Sequence, residues 1–473
     1  MRSDGVTSTT LWLARSPADS ESPDVRDPYR RRKRPRTVSP DLEAALDPTA
    51  MPAPGTLRAK KVGFLVSQYP APSHTFIRRE VHALRRRGLS VDTFSIRPPK
   101  ANERLSAVDR EEEARTFYVL PARPLALLAA HFWAFRRRPV MYVTMFFAAL
   151  HHRVPGVRAL FWSFFYFIEA MALARELSRR DIAHLHNHFA NSGATVGMLS
   201  CRYLGIGWSL TLHGISEFDY PSGLLLTEKL AHAQFAACVS SFGMAQAMRT
   251  IAPADWTKLL ISRCGLELAA MPAPQTRPPG PPRVVCVGRL SAEKGHLGLI
   301  EAFAALLARG QVAQLRLVGD GPDRARIEAA IARHGIGAHV VLRGQLPEDE
   351  TLVEVGQADV LVSASFMEGL PVVLMEALAY RVAVVAPRIA GVPELVEDGV
   401  TGLLFTPADW AGLTAAMARA LSDPALRERL GRAGYERVRA EFDASRACEP
   451  LAQRLSDESD GDTEDAVVAA QAR

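Results

Sequence analysis

The sequence has little cysteine and pairs none of it. Cys201, Cys238, Cys264, Cys286 and Cys448 are its five cysteines. None stands in a C-x-x-C spacing, which argues against a zinc ribbon and a disulfide framework and fits a reducing, cytoplasmic compartment. The first residues lack an apolar core of signal-peptide length, so no leader is expected. The two most apolar stretches, 139–150 and 159–168, fall short of the ~20 residues that a bilayer-spanning helix needs. Neither is read as transmembrane. The loop at 68–75 lacks the glycine fingerprint of a dinucleotide site, so no NAD site is read there. The basic run Arg30, Arg31, Arg32, Lys33, Arg34, Pro35, Arg36 has no interleaved aromatics, which argues against nucleic acid as a partner.

What is present fits a multidomain globular protein. At 473 residues, 48% of them hydrophobic, the chain can bury two or three cores. A formal net charge of +6 permits contact with anionic lipid or phosphorylated substrates and selects neither. Residues 1–57 are polar, Pro-rich and basic, and read as a disordered extension. The sharper reading of that extension is a polybasic patch on anionic lipid at the inner face of the plasma membrane.

Order is expected from residue 58. The apolar run 61–66 reads as a buried strand, a helical pattern leads to Arg87 and Gly88, and 91–96 reads as a second strand, which makes a βαβ unit. Residues 101–180 are irregular, and their aromatic stretches are fenced by Arg136, Arg137, Arg138, His151, His152 and Arg153. They read either as a helical pair in a membrane interface or as core filling. His184, His186 and His188 alternate, but the strand carrying them is expected to end near Asn187, and no metal site is assigned. A further strand delivers His213 and Gly214 to its C-terminal end, a good place for an active-site group. Strands at 235–240 and 259–264 complete an N-terminal α/β domain, 58–270.

The Pro-rich segment 271–282 reads as a linker, after which the βα rhythm restarts over 283–440 with strands at 283–287, 315–318, 340–342, 360–363 and 383–386. A helical pattern at 441–455 is assigned as a segment crossing back to the first domain. The acidic tail 456–473 reads as disordered, and its Asp460-Gly461-Asp462 as a chance match to a metal motif. The expected fold class is α/β: two doubly wound, Rossmann-like domains facing a cleft.

The second domain is organised around Glu368-Gly369-Leu370-Pro371 and Glu376. A buried strand precedes this stretch and an apolar helix follows, with Pro371 suited to the first helical position. A helix N-terminus suits phosphate, whereas the two carboxylates suit sugar hydroxyls on either side of it. Arg289 and Lys294, on the loop after the domain's first strand, can neutralise a diphosphate without a metal. The donor expected is a nucleotide sugar.

Gly288-Arg289-Leu290, Glu293-Lys294-Gly295, Gly319-Asp320-Gly321-Pro322, the Glu368–Glu376 pair and Ala390-Gly391-Val392-Pro393-Glu394 together resemble the retaining glycosyltransferase family 4 (group 1), of GT-B fold. His186-Asn187-His188-Phe189-Ala190 and Thr211-Leu212-His213-Gly214 resemble its exopolysaccharide and colanic-acid branch. The resemblance implies that Arg289 and Lys294 hold the donor diphosphate and that Glu376 meets the ribose. It further implies that Glu368 meets the transferred sugar, that Gly369, Leu370 and Pro371 approach sugar and phosphate, and that His213 is the active-site histidine. No cofactor or metal is implied. The acceptor would be a glycan or lipid-linked saccharide, with peripheral contact to an anionic membrane. The other readings are a GT-B phosphorylase, a nucleotide-sugar epimerase, or a membrane-associated scaffold without catalysis.

Overall fold

The apolar runs separated by helices build two parallel sheets in the computed structural model, which describes residues 61–457 except 101, 102, 104, 274, 275, 277 and 278. The basic run at 30–36 and the Asp460–Asp462 motif lie outside the described residues.

The first sheet contains β1 (Lys61–Gln68), β2 (Val91–Arg97), β3 (Phe117–Tyr118), β4 (Ile182–His188), β5 (Gly207–Leu212), β6 (Phe235–Cys238) and β7 (Leu259–Ile261). Its order is β3-β2-β1-β4-β5-β6-β7. The second contains β8 (Arg283–Val287), β9 (Gln314–Val318), β10 (Val340–Gly344), β11 (Val360–Val362), β12 (Ala383–Pro387) and β13 (Leu403–Phe405), in the order β10-β9-β8-β11-β12-β13. Both are doubly wound, and the architecture is GT-B. Each reverses strand order once, at β1/β4 and at β8/β11. In such sheets ligands bind beyond the strands' carboxyl ends at that reversal. The loops after β8 and β11, which carry Lys294 and Glu368, flank it.

The strand β4 continues to His188, one residue past the expected end, because Asn187 and His188 keep their ladder partners Leu210 and Thr211 on β5. All three alternating histidines therefore share one buried face. Strands β6, β7 and β11 stop short of their expected ends, β6 at Cys238 because Ser240 turns to cap the next helix, its Oγ accepting from Gly243 N at 3.0 Å.

Helices α1 (Thr75–Arg86), α2 (Ala107–Arg115), α3 (Pro124–Arg137), α4 (Pro139–His151), α5 (Val157–Arg179), α6 (Ser192–Leu204) and α7 (Ile215–Phe218) cover the first sheet. The expectation for 159–168 needs correction. It is the first half of a 23-residue helix, α5, whose most apolar 18-residue window has a mean hydropathy of 1.4, so that by length and composition alone the helix is long and apolar enough to cross a membrane. The charge of Glu169 hid this. That carboxyl is buried within the packed helix, and burial raises its pKa to about 7 against the pull of Arg97. The second half of α5 belongs to the domain core, with Phe167, Ala170, Met171, Leu173 and Leu177 among its members.

The chain ends its described part on the first domain. Leu266 N donates to Phe442 O, and Ala444 N donates to Leu266 O, both at 2.8 Å. Beyond them Cys448, Leu451 and Leu455 join Val62 and Phe64 of β1 and Leu84 of α1 in one apolar cluster.

Candidate active site

The loop after β8 is held by backbone-to-backbone packing that only glycine permits. A Cβ at Gly319, φ +140°, would lie 2.0 Å from Gly288 O, and one at Gly295, φ +65°, would lie 2.0 Å from Ala364 O. The Gly319-Asp320-Gly321 motif thus braces the loop from beneath. Above it, Phe366 N donates to Glu293 O at 2.8 Å, which ties the loops after β8 and β11 together. Lys294 Nζ then donates to Glu368 Oε1 at 2.7 Å, and Arg289 stands exposed on the same loop. Pro371 is the N-cap of the helix Val372–Ala379, one position earlier than expected. The N-terminus of this helix lines the same cleft as the lysine–carboxylate pair, a cationic end suited to phosphate.

The facing wall comes from the first domain. The His213 ring packs between Phe76 and Phe189, centroids at 4.8 and 4.6 Å. Its Nε2 is 2.8 Å from His188 Nδ1, and His188 Nε2 is 3.3 Å from Glu80 Oε1. Burial, with the nearby His74, lowers the His213 pKa to about 3, and burial raises that of Glu80 to about 8. At neutral pH the imidazole is uncharged and the buried Glu80 carboxyl is protonated, its Oε1 facing His188 Nε2 without a hydrogen bond. His213 is therefore a weak base whose ring is engaged by its own domain; what it places against the opposite domain is its carbonyl. Glu80, His186 and His188 bring donor atoms within 4.8 Å of one another. Both nitrogens of His186 are already 2.7 Å from Ser209 Oγ and Thr211 Oγ1, so His186 has no nitrogen free for an ion, whereas Glu80 Oε1 and His188 Nε2 lack hydrogen-bond partners among the described residues.

Glu217, on α7, was not visible as a site residue. Its carboxylate accepts from Ala190 N at 2.7 Å, His213 N at 2.5 Å and Gly214 N at 3.1 Å, fixing the segment that meets the other domain. Burial raises its pKa to about 7 against those three donors. Glu217→Gln turns an amide NH2 toward one or more of these N–H groups and leaves a buried donor unmatched. The expected cost is about 1–3 kcal/mol, read from urea unfolding.

The two walls are bridged by charge. Arg79 of α1 donates from Nη2 to Glu376 Oε1 at 2.7 Å and to Glu348 Oε1 at 2.6 Å, while Arg78 pairs with Glu348 and with Asp109 at 2.9 Å. The Glu376 carboxylate, expected to stand ready for hydroxyls, is thus occupied by a guanidinium from the other domain. Burial opposes the Arg79 charge, but Glu376 and Glu348 outweigh it and raise its pKa, while burial raises the Glu376 carboxyl against the pull of Arg79. The sequence held one signal for this bridge: two arginines near a helix N-terminus oppose the macrodipole and call for carboxylate partners. Removing one partner of a buried pair strands the other charge. Arg79→Met should cost about 3–5 kcal/mol, and the double change Arg79→Met with Glu376→Leu should recover most of it, as measured by chemical unfolding. A second bridge runs from Glu394, which accepts from Ser241 N at 2.9 Å, Phe242 N at 3.0 Å and Arg263 Nη1 at 2.8 Å.

Between the walls lies a cleft of about 840 Å³, inside the ~300–1,000 Å³ span usual for small-molecule sites. His213 lines it on one side; Arg289, Lys294, Glu368, Gly369, Leu370, Pro371 and Glu376 line it on the other. At Gly369 the backbones of the two domains meet, for a Cβ there would lie 2.0 Å from His213 O.

Residues 269–437 match the family described as "Glycosyl transferases group 1". The chain is 34% identical to the alpha-D-kanosaminyltransferase of Streptomyces kanamyceticus, over 36% of its own length and 44% of that protein's. It is 27% identical to the putative colanic acid biosynthesis glycosyltransferase WcaL of Salmonella typhimurium, over 76% of its own length and 90% of that protein's. The chain therefore spans under half of the first relative and most of the second. Among solved structures, Anabaena Alr3699/HepE in complex with UDP-glucose superimposes with a TM-score of 0.63 at 16% identity, covering 84% of this chain and 99% of that one. At that identity the likeness is one of fold.

Proposed function

We propose that this chain, a group 1 glycosyltransferase by its C-terminal domain, transfers a sugar from a nucleotide-sugar donor to a glycan or lipid-linked saccharide in cell-surface polysaccharide synthesis. The observation that carries the reading is the juxtaposition of Lys294, Glu368 and the N-terminus of the Val372–Ala379 helix on one side of a cleft whose other side is His213–Gly214. WcaL, similar over most of both chains, is named for colanic acid biosynthesis, and HepE, of like fold, for a complex with UDP-glucose. The first name fits a polysaccharide product, and the second a nucleotide-sugar donor.

The chemistry follows from charge. As the glycosidic bond to the donor breaks, negative charge grows on the leaving diphosphate, and this reading assigns Lys294, Arg289 and the helix N–H groups to meet it. These groups form a preorganised cationic patch, so no divalent metal is required in this reading. Glu368, neutralised by Lys294, holds sugar hydroxyls rather than attacking the anomeric carbon. With His213 uncharged and a weak base, the acceptor hydroxyl passes its proton to the departing phosphate. That route delivers the acceptor to the face the leaving group vacates, and the anomeric configuration is retained.

The test is proton NMR of the product formed from a donor of defined anomeric configuration. Retention is expected; an inverted product would require a general base on the opposite face and would overturn this assignment of roles.

A further inference from the structure

Helices α3, α4 and the first half of α5 carry their apolar residues on the wrong side for a protein surrounded by water. Each has an inner face that packs in the domain core, through Ala130 and Ala134, Met145 and Ala149, and Ser163 and Phe167. Each also has an outer stripe at helical spacing: Leu125, Leu128, Phe132 and Phe135 on α3, Val140, Val143 and Phe147 on α4, and Val157, Leu160, Phe161 and Phe164 on α5. All of these are exposed, Leu125 to 80%, Val140 to 79% and Val157 to 85%. Folding accounts for the inner faces. It leaves three adjoining helices with apolar outer faces, more than scattered surface hydrophobics explain.

The charges beside the stripes have one sign. From Ala114 to Ile168 there is no aspartate or glutamate, and there are seven arginines: Arg115, Arg123, Arg136, Arg137, Arg138, Arg153 and Arg158. Arg123, Arg136, Arg137 and Arg158 are exposed, and Arg137 lies 5.5 Å from the Trp133 ring. A second copy of this chain docking by two-fold symmetry would set this arginine-rich surface against itself, with no carboxylate in the segment to offset it. An apolar face rimmed by arginine and aromatics is instead matched to acyl chains beneath anionic headgroups.

We propose that the outer faces of α3, α4 and the first half of α5 form a docking surface for an anionic lipid bilayer, entered to the depth of the headgroup–acyl boundary. The surface lies on the membrane and does not span it: α5 is long enough, but its second half is committed to the core, with Glu169 and Glu176 buried there. This inference is independent of the donor chemistry proposed above. It adds a place for the acceptor, since a lipid-linked saccharide would be met at the surface where the chain rests.

The test is co-sedimentation of the full chain with vesicles of phosphatidylcholine alone and of phosphatidylcholine with about 30 mol% phosphatidylglycerol. The wild type should sediment with the anionic vesicles, less with the neutral ones, and less again as salt is raised. The variant Leu128→Ser, Phe132→Ser, Phe161→Ser alters only exposed side chains. Its circular dichroism should match the wild type, and its affinity for anionic vesicles should fall at least about tenfold. Failure of the wild type to sediment overturns the proposal. So does undiminished binding by the triple variant, which would assign the membrane contact to other parts of the chain, residues 1–57 included. A wild-type dimer that the triple variant converts to monomer, without a change in lipid binding, would assign the face to a second copy.

Discussion

Lys294→Ala is expected to lower kcat by about 10²–10³ with the fold intact, the scale seen when one preorganised charge or donor is removed from a developing anion. On the proposed chemistry the substitution acts on the leaving group, since Lys294 Nζ, 2.7 Å from Glu368 Oε1, lines the same cleft as the N-terminus of the Val372–Ala379 helix. The pair is partly solvated, with side chains 28% and 11% exposed, so its loss should change stability by no more than about 1 kcal/mol. KM for the donor should move less than kcat, because the leaving diphosphate gains charge only as the bond breaks. Lys294→Arg keeps the charge but spreads it over a planar fork, and partial activity is expected. Steady-state kinetics together with an unfolding curve distinguish this from simple loss of folded protein. An alanine variant with wild-type kcat would remove Lys294 from the leaving-group site.

Gly369→Ala should cost activity through the opposite domain. Gly369 is absent from the positive-φ positions, so alanine meets no penalty from its own backbone. The obstacle is His213 O, 2.0 Å from where the new Cβ would stand, with Gly214 Cα at 3.0 Å. Neither can retreat freely. Glu217 holds the N–H groups of both residues, and Gly391 N donates to Gly369 O at 3.1 Å from the other side. The walls must therefore part, and a displacement near 1 Å at a reacting centre can cost about 10² in rate. The expected result is a kcat loss of that order with the second domain's unfolding midpoint unchanged. Wild-type kinetics would mean that this contact is not made during turnover.

The fold was legible because short apolar runs separated by helices admit few architectures, and the Pro-rich stretch near 271–282 interrupts the rhythm once. The strands missed were β3 and β13, two and three residues long, too short to carry a pattern. Arg289, Lys294, Glu368 and Glu376 could be placed on one cleft wall from the sequence because they sit within two local motifs, each following a strand. What stayed hidden depends on distant partners. Glu217 looked like one acidic residue in an ordinary loop until the backbone of Ala190, His213 and Gly214 converged on it. Arg78 and Arg79 share a helix with Arg85 and Arg86, yet the first two are buried against carboxylates of the other domain. Glu169 marked an apparent end to an apolar segment that in fact continues. In each case the side chain's role is set by residues far away in sequence.

The central claim is that this cleft transfers a sugar from a nucleotide donor without a metal. The most direct measurement is the fate of radiolabelled UDP-, GDP- and ADP-sugars incubated with the full chain, lipid-linked acceptors and excess EDTA. The account predicts that label from one donor class moves to acceptor or water under chelation and that Lys294→Ala abolishes the movement. Consumption of no donor, or consumption that appears only when a divalent cation is restored, would contradict it.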